Sequence, residues 1–264
     1  MSAGNISGSV RFISADPTLG DIWMNGLPID VVGQIANLLT GVNADAAVKV
    51  LLENCLSWRG PVAEGAAGGW LLSGVTGAAT IVETATRGGE IALTASADAN
   101  ADPTLQLGNT TAHMPFFYTV GKRMWCFVRL KIGTVASTEM FIGMGTADAE
   151  PTTTNTFPSD GIFFHKASTG TKFSFDARKD GVSTSKANIG TTLADGVYTV
   201  IGFTVDALGN IQPYQDGAAV AAGLIAAGTA NIPSTAGDTM TFMVGFRGQS
   251  QVVTMSMILL GQEV

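Results

Sequence analysis

Apolar and polar residues alternate over short runs through most of the chain from Trp58 onward. The clearest run is Arg123-Met-Trp-Cys-Phe-Val-Arg-Leu-Lys-Ile132. On an extended backbone, Met124, Cys126, Val128, Leu130 and Ile132 share one face. Trp125, Phe127, Arg129 and Lys131 share the other, whose later half meets water. Val197 to Val205 repeats the period, with Val197, Ile201, Phe203 and Val205 inward. Shorter strands are expected at 70–72, 79–83, 90–94, 104–107, 139–144, 161–165, 171–175, 211–214, 240–246 and 251–260. Ser168-Thr-Gly170 closes a hairpin, and Arg178-Lys-Asp-Gly181, Asp206 to Asn210 and Gln215-Asp-Gly217 turn the chain. Pro213 removes a backbone donor, which sets its strand at an edge or an irregularity.

The front of the chain reads differently. Met1 to Gly20 is mostly Gly, Ser, Ala and an Asp-Pro step around one alternating stretch, Ser9 to Ile13. Such a segment is an arm, ordered when it lies on something. Asn25-Gly26 between apolar residues signals a hairpin, and Val31 to Leu39 fits a strand or a helix equally. Asn43 to Trp58 has helical spacing. Asn43 can cap it, Asp45 sits in the first turn, Val48, Leu51, Leu52 and Cys55 fall on one face, and Gly60-Pro61 ends it. The expected organisation is an N-terminal arm with a hairpin and a short helix over residues 1–57, then an all-β domain over 58–264. Many short strands separated by Gly, Asn and Asp turns make that domain a two-sheet antiparallel jelly-roll sandwich, with one face of each sheet buried.

Composition narrows the function. Charged residues are 13% of the 264, about half the usual share, and glycines number 33. The net charge of −7 argues against a nucleic-acid partner, which needs clustered Lys and Arg. The first residues lack the basic and apolar regions of a signal peptide. The longest soft apolar run, Ala218 to Gly228, is too short to span a membrane, so no membrane partner is expected. The positive mean hydropathy of +0.30 therefore reflects abundant Ala, Gly and Val. Cys55 and Cys126 lack Cys-x-x-Cys spacing and read as free buried thiols, with a disulfide between them left open.

The two histidines, His113 and His165, bound the chemistry. They exclude a His-rich zinc site, and no Gly-x-Ser-x-Gly elbow accompanies either. Gly65 to Gly69 and Gly74 to Gly77 lack the ending of a phosphate loop. Asp98-Ala-Asn-Ala-Asp102 is cation-compatible but lacks a distal Glu at the spacing of an EF-hand. No catalytic residue, cofactor or metal ligand is assigned.

Six stretches together carry a resemblance. They are Thr86 to Thr94, Arg129 to Ile132, Met140 to Met144, Asp160-Gly-Ile-Phe-Phe-His-Lys166, Asp195-Gly-Val-Tyr198 and Tyr214-Gln-Asp-Gly217. In this order they resemble the concanavalin-A-like (lectin/glucanase, laminin-G-like) jelly rolls of tailed-phage virion proteins. Asn25-Gly-Leu-Pro-Ile-Asp30 to Gly33 resembles a segment found ahead of such domains in phage structural proteins.

The resemblance implies a non-enzymatic capsid decoration (cement) protein on the virion exterior, made in the host cytoplasm. Its partners would be the major capsid protein and neighbouring copies of itself, as a homo-trimer. The arm would make those contacts through Val10, Phe12, Ile22, Trp23, Leu27 and Ile29, by completing exposed sheet edges and sharing apolar patches. The alternative is a tail-fibre or receptor-binding module that recognises a cell-surface glycan. Its ligand face would carry Asp160, His165, Tyr214 and Asp216, with Tyr118, Tyr198, Trp70 and Trp125 as further aromatic platforms, most of them core by alternation. Catalysis is not expected. The Glu-x-Asp-x-x-Glu strand of the laminarinase-type members is absent, and Asp160 and Asp176, which flank one hairpin, read as turn or strand-end residues.

Overall fold

The alternating runs pair into two antiparallel sheets in the computed structural model. It describes residues 11–13, 21–23, 48–53, 70–73, 80–84, 90–97, 103–107, 116–146, 157–234 and 239–263. The strands are β1 (Arg11–Ile13), β2 (Asp21–Trp23), β3 (Val48–Glu53), β4 (Trp70–Ser73), β5 (Thr80–Thr84), β6 (Glu90–Thr94) and β7 (Thr104–Leu107). They continue as β8 (Met124–Ile132), β9 (Glu139–Gly145), β10 (Gly161–Lys166), β11 (Phe173–Lys179) and β12 (Val182–Ile189). The last are β13 (Tyr198–Val205), β14 (Ile211–Gln215), β15 (Ala218–Ala219), β16 (Thr241–Arg247) and β17 (Val252–Glu263). A seven-stranded sheet runs β12-β11-β10-β9-β16-β7-β4. An eight-stranded sheet runs β15-β14-β13-β8-β17-β6-β5, with β3 also paired to β17.

The core lies between the sheets and follows the alternation. Met124, Cys126, Val128, Leu130 and Ile132 of β8 join Ile201, Phe203 and Val205 of β13 from one side. Met140, Ile142, Met144, Phe164, Phe175, Phe242 and Phe246 meet them from the other. Each such side chain removed from water stabilises the fold by about 1.5–3 kcal/mol. Val197 departs from the expectation. The strand begins one residue later, and Val197 stays 58% exposed beside the turn at Gly196.

Three further differences are informative. The short helix expected over 43–58 is not formed at its centre, because Val48–Glu53 is a strand. Its residues satisfy a helical stripe, but they also pair antiparallel with Ile258–Glu263 of β17, from Val48↔Glu263 to Glu53↔Ile258. That pairing supplies backbone partners along a stretch of β17 that β6 does not reach, since β6 pairs only with Val252–Met255. β12 had no sequence signal. It is an edge strand exposed along most of its length, so nothing selects apolar alternation. The arm does contain a two-stranded ribbon, β1 with β2, whereas the Asn25-Gly26 hairpin lies outside the described residues. Pro213 sits on β14, whose outer neighbour β15 is two residues long, as a missing donor requires.

Candidate functional site

The β10–β11–β12 meander turns one face to the core and the other outward. The register sets Ser174 opposite His165 and Asp176 opposite Phe163, all on the outward face. Asp176 is thus one diagonal step from His165, and His165 Nε2 lies 3.2 Å from Asp176 Oδ1. The imidazole is 23% exposed and the carboxylate 7%. The half-buried ring of Phe157 packs on this pair, 4.9 Å from the His165 ring and 5.5 Å from that of Phe163.

Phe157 is held by its backbone. Arg178 Nη1 donates to the carbonyls of Phe157 (3.3 Å) and Pro158 (3.4 Å). Pro158 can approach the sheet because Gly145 has no side chain. A Cβ there would lie 2.9 Å from the proline ring. Asp160 completes the anchorage. Its carboxylate accepts from the Asp180 backbone N–H at 2.8 Å and from the Ser159 hydroxyl at 2.7 Å. Asp180 has φ of +51°, so that bond fixes a turn that needs support. Asp160 is therefore an anchor of the site rather than a contact surface.

Lys166, next to His165, points the other way and is 2% exposed. Its ammonium donates to the carbonyls of Val135 (2.5 Å), Ala167 (2.9 Å), Gly170 (2.9 Å) and Ser168 (3.4 Å). It ties the β10–β11 hairpin loop to the 3-10 turn Val135–Ser137. Burial lowers its pKa to about 8, against a smaller upward pull from Glu139.

The eight-stranded sheet also has an outward face with chemistry on it. Tyr198 donates to Glu90 at 2.5 Å, Lys131 pairs with the same carboxylate at 3.3 Å, and the Arg129 guanidinium stacks 3.6 Å over the tyrosine ring. Arg129 Nη1 donates to the Ser256 hydroxyl at 2.6 Å. Burial and the Glu90 bond raise the tyrosine pKa. In this cluster every charge already has a partner. The outward face at β10–β12 is different. There the Arg178 Nε is buried without a partner among the described residues, and Ser174 only accepts, from the Asn188 N–H. Unused hydrogen-bonding capacity beside an aromatic ring is what a polar ligand needs.

The four ligand-face residues do not converge. His165 and Asp160 belong to the seven-stranded sheet. Tyr214 and Asp216 belong to the other, where Tyr214 packs 5.8 Å from Phe127 and Asp216 accepts from Val200 N–H (2.8 Å) and the Thr199 hydroxyl (3.1 Å). Trp70, Tyr118 and Trp125 are buried, as alternation implied. Asp176 and Phe157 were missed as ligand-face residues. The Ser168–Gly170 hairpin carried the signal for Asp176, because fixing that turn also fixes the register across it. Of the arm residues, Phe12 is paired in register with Ile22, and Trp23 with Arg11, in the ribbon. Val10, Leu27 and Ile29 lie outside the described residues, as do Cys55, His113 and the Asp98–Asp102 loop. Cys126 is free and buried, and burial raises its thiol pKa. Among the described residues no cluster of His, Cys, Asp and Glu could hold a metal ion, and no helix is long and apolar enough to cross a membrane.

No family model and no curated protein matches the chain. Solved structures do. The globular domain of T. cruzi calreticulin aligns with a TM-score of 0.57 at 11% identity, over 80% of this chain and 88% of that one. Peanut lectin, solved with a nine-residue peptide, aligns with a TM-score of 0.53 at 10% identity, over 82% and 98%. The carbohydrate recognition domain of Emp47p aligns with a TM-score of 0.50 at 9% identity, over 81% and 95%. At such identities the likeness is one of fold, a concanavalin-A-like jelly roll.

Proposed function

We propose that this protein is a carbohydrate-recognition module that binds without catalysis, through the outward face at β10–β12. One observation carries this reading: the Phe157 ring lies 4.9 Å from the partly exposed His165 ring, which meets the buried Asp176 carboxylate beside a Ser174 hydroxyl whose donor is unused. A sugar ring offers C–H groups to an aromatic face and hydroxyls to a carboxylate and an imidazole. The shared fold with a lectin and a carbohydrate recognition domain supports the same reading. A glycan array probed with the full chain tests it. Retention of a defined glycan, lost at least tenfold in Phe157→Ala and Asp176→Ala but kept in Tyr214→Ala, is the expected result. An empty array, or variants that bind like the wild type, would overturn it.

A second reading concerns attachment. The β1–β2 ribbon forms a sheet of its own, separate from the two sheets of the sandwich. It supports a role in which the arm fastens the domain to a capsid and to neighbouring copies, as a homo-trimer on the virion exterior. Imaging of labelled protein on virions tests this. Signal on the head supports decoration, and signal on the tail supports receptor binding.

A further inference from the structure

The seven-stranded sheet ends on a strand whose outer edge is open. β12 is eight residues long, against two for β15, four for β4 and five for β5, the other terminal strands of the two sheet orders. Asp180 and Gly181 have φ of +51° and +75°, the left-handed pair that a two-residue hairpin turn needs, so Lys179 and Val182 close the ladder as a bonded pair. Bonding then alternates along the strand. Val182, Thr184 and Lys186 direct their N–H and C=O groups to β11, and those of Ser183 and Ser185 point away from the sheet. Both serines are exposed, and the backbone of neither has a partner among the described residues. The Gly181 N–H just before them is taken by the Ser159 carbonyl, and beyond Lys186 the register shifts at a bulge. The open stretch is therefore Ser183–Ser185. It holds no proline and no charge, the features that ordinarily guard such an edge.

The β1–β2 ribbon is the complementary half. Its strands are three residues each and pair only with one another among the described residues. A two-stranded ribbon alone is marginal in water and is stabilised by a third strand. The charges suit the contact. Residues 171–190 carry four Lys and Arg and two Asp and Glu, whereas residues 1–57 carry two and five. Position then favours the ribbon of another copy. Thr184 of β12 bonds to Thr229 and Asn231 in the segment that follows β15, so β12 lies on the β15 flank of the sandwich. β3, from which the arm leaves, pairs with β17 toward the opposite flank. To reach its own β12, the ribbon would have to return across the sheet, roughly 30 Å. A neighbour set with its β12 flank against this β3 flank offers the edge directly. The twenty-four residues between Trp23 and Val48 can make that crossing, since they reach up to about 80 Å when extended.

We propose that Ser183–Ser185 of β12 is the edge on which the β1–β2 ribbon of a neighbouring copy docks, continuing the seven-stranded sheet. This rests on the attachment reading and adds the surface that receives the arm. Donor and acceptor lie on opposite flanks, so the contact is head-to-tail, and it closes into a ring where the rotation permits.

Sedimentation velocity of the full chain tests this, and association that grows with concentration is the expected result. Ser183→Pro removes an outward donor and leaves the bonds to β11 in place, so it should weaken association at least tenfold at unchanged melting temperature. Ile22→Pro, in the middle of β2, should do the same. Cysteine pairs identify the occupant without a proline. In a Cys55→Ser background, with Cys126 buried, Ile22→Cys chains mixed with Ser185→Cys chains should cross-link through a short bis-maleimide, which tolerates a step of register. Ser185→Cys chains that cross-link to one another instead would put a second β12 on the edge. A link within one chain carrying both cysteines would return the ribbon to its own copy. Either result overturns the proposal. Association lost in Ile22→Pro but kept in Ser183→Pro would overturn β12 as the acceptor and leave arm attachment standing. A chain that stays monomeric at every concentration would overturn attachment to neighbouring copies as well.

Discussion

Replacing Lys166 by Met keeps the length of the stem and removes the ammonium. In the native protein that group donates to three carbonyls at 2.9 Å or less, from the hairpin loop and the 3-10 turn, and to a fourth at 3.4 Å. Hydrogen bonds from a charged donor are worth roughly 1.5–3 kcal/mol each, and a buried carbonyl left unmade costs about 1–3 kcal/mol. Against this, the variant no longer buries a charge, and the loop carbonyls of Ala167 to Gly170 can turn toward water. Weighing three short bonds against that relief gives a net loss of about 2–3 kcal/mol at pH 7. In a domain of this size that lowers the melting temperature by roughly 5–10 °C.

The pH dependence gives a second, independent check. Burial holds the folded-state pKa of Lys166 at about 8, below its ordinary value of 10.5. Between those two values the unfolded chain binds more protons than the folded one, so wild-type stability rises with pH there. Below pH 8 the cost of the buried charge is fully present. The variant lacks the group, so the stability gap between the two proteins should widen from pH 8 to about pH 10. Urea titration at pH 7, 8, 9 and 10 reads both quantities. A loss under about 1 kcal/mol at pH 7 would refute the ammonium as a staple, and a gap that narrows as pH rises would refute the lowered pKa.

Two further outcomes follow from the packing. Gly202→Ala should cost about 3 kcal/mol in urea unfolding, because the new methyl would sit 2.2 Å from Phe127 Cδ1 and 2.4 Å from the Cys126 carbonyl, and backbone cannot step aside. Deleting residues 1–40 should leave the β domain with unchanged melting, and on the attachment reading proposed above it should abolish capsid binding. Deleting 1–53 should lower the melting temperature as well, since Ile258–Glu263 of β17 then loses its β3 partner. Equal melting of the two truncations would show that β3 contributes nothing.

The sandwich was legible because its central strands are half-buried on a fixed side. β8 and β13 announce themselves through the face they give to the core, and nearly every expected strand lies within two residues of its observed place. Legibility failed where the deciding interaction is remote or absent. Val48–Glu53 carries a stripe that suits either helix or strand over six residues, and its partner is the C-terminal half of β17. β12 has no buried face to declare. At the site, His165 was visible within a motif, but Asp176 gained its role from register and Phe157 from a backbone held by Arg178. The first relation was signalled only through the Ser168–Gly170 turn, and the second has no local sequence signature.

The low charge content also takes on a spatial meaning. A sandwich with one wet face per sheet would carry alternating charges on its outer rows. Here the outward rows are only partly wet. Phe141, Phe163 and Met243 form a second buried cluster on the outer side of the seven-stranded sheet, with Phe157 packed against it, and Trp125, Phe127 and Leu259 are buried on the outer side of the other. Charges on such rows would be desolvated without partners, so their scarcity follows from the covering of both outer faces. Of the charges that remain on outward rows, Glu90, Lys131 and Arg129 form a satisfied cluster with Tyr198 on one sheet, whereas at β10–β11 on the other the Arg178 Nε beside the His165–Asp176 pair has no partner among the described residues. The first is a closed network and the second an open one, which is why the open network, rather than the more densely charged cluster, is the place to look for a ligand.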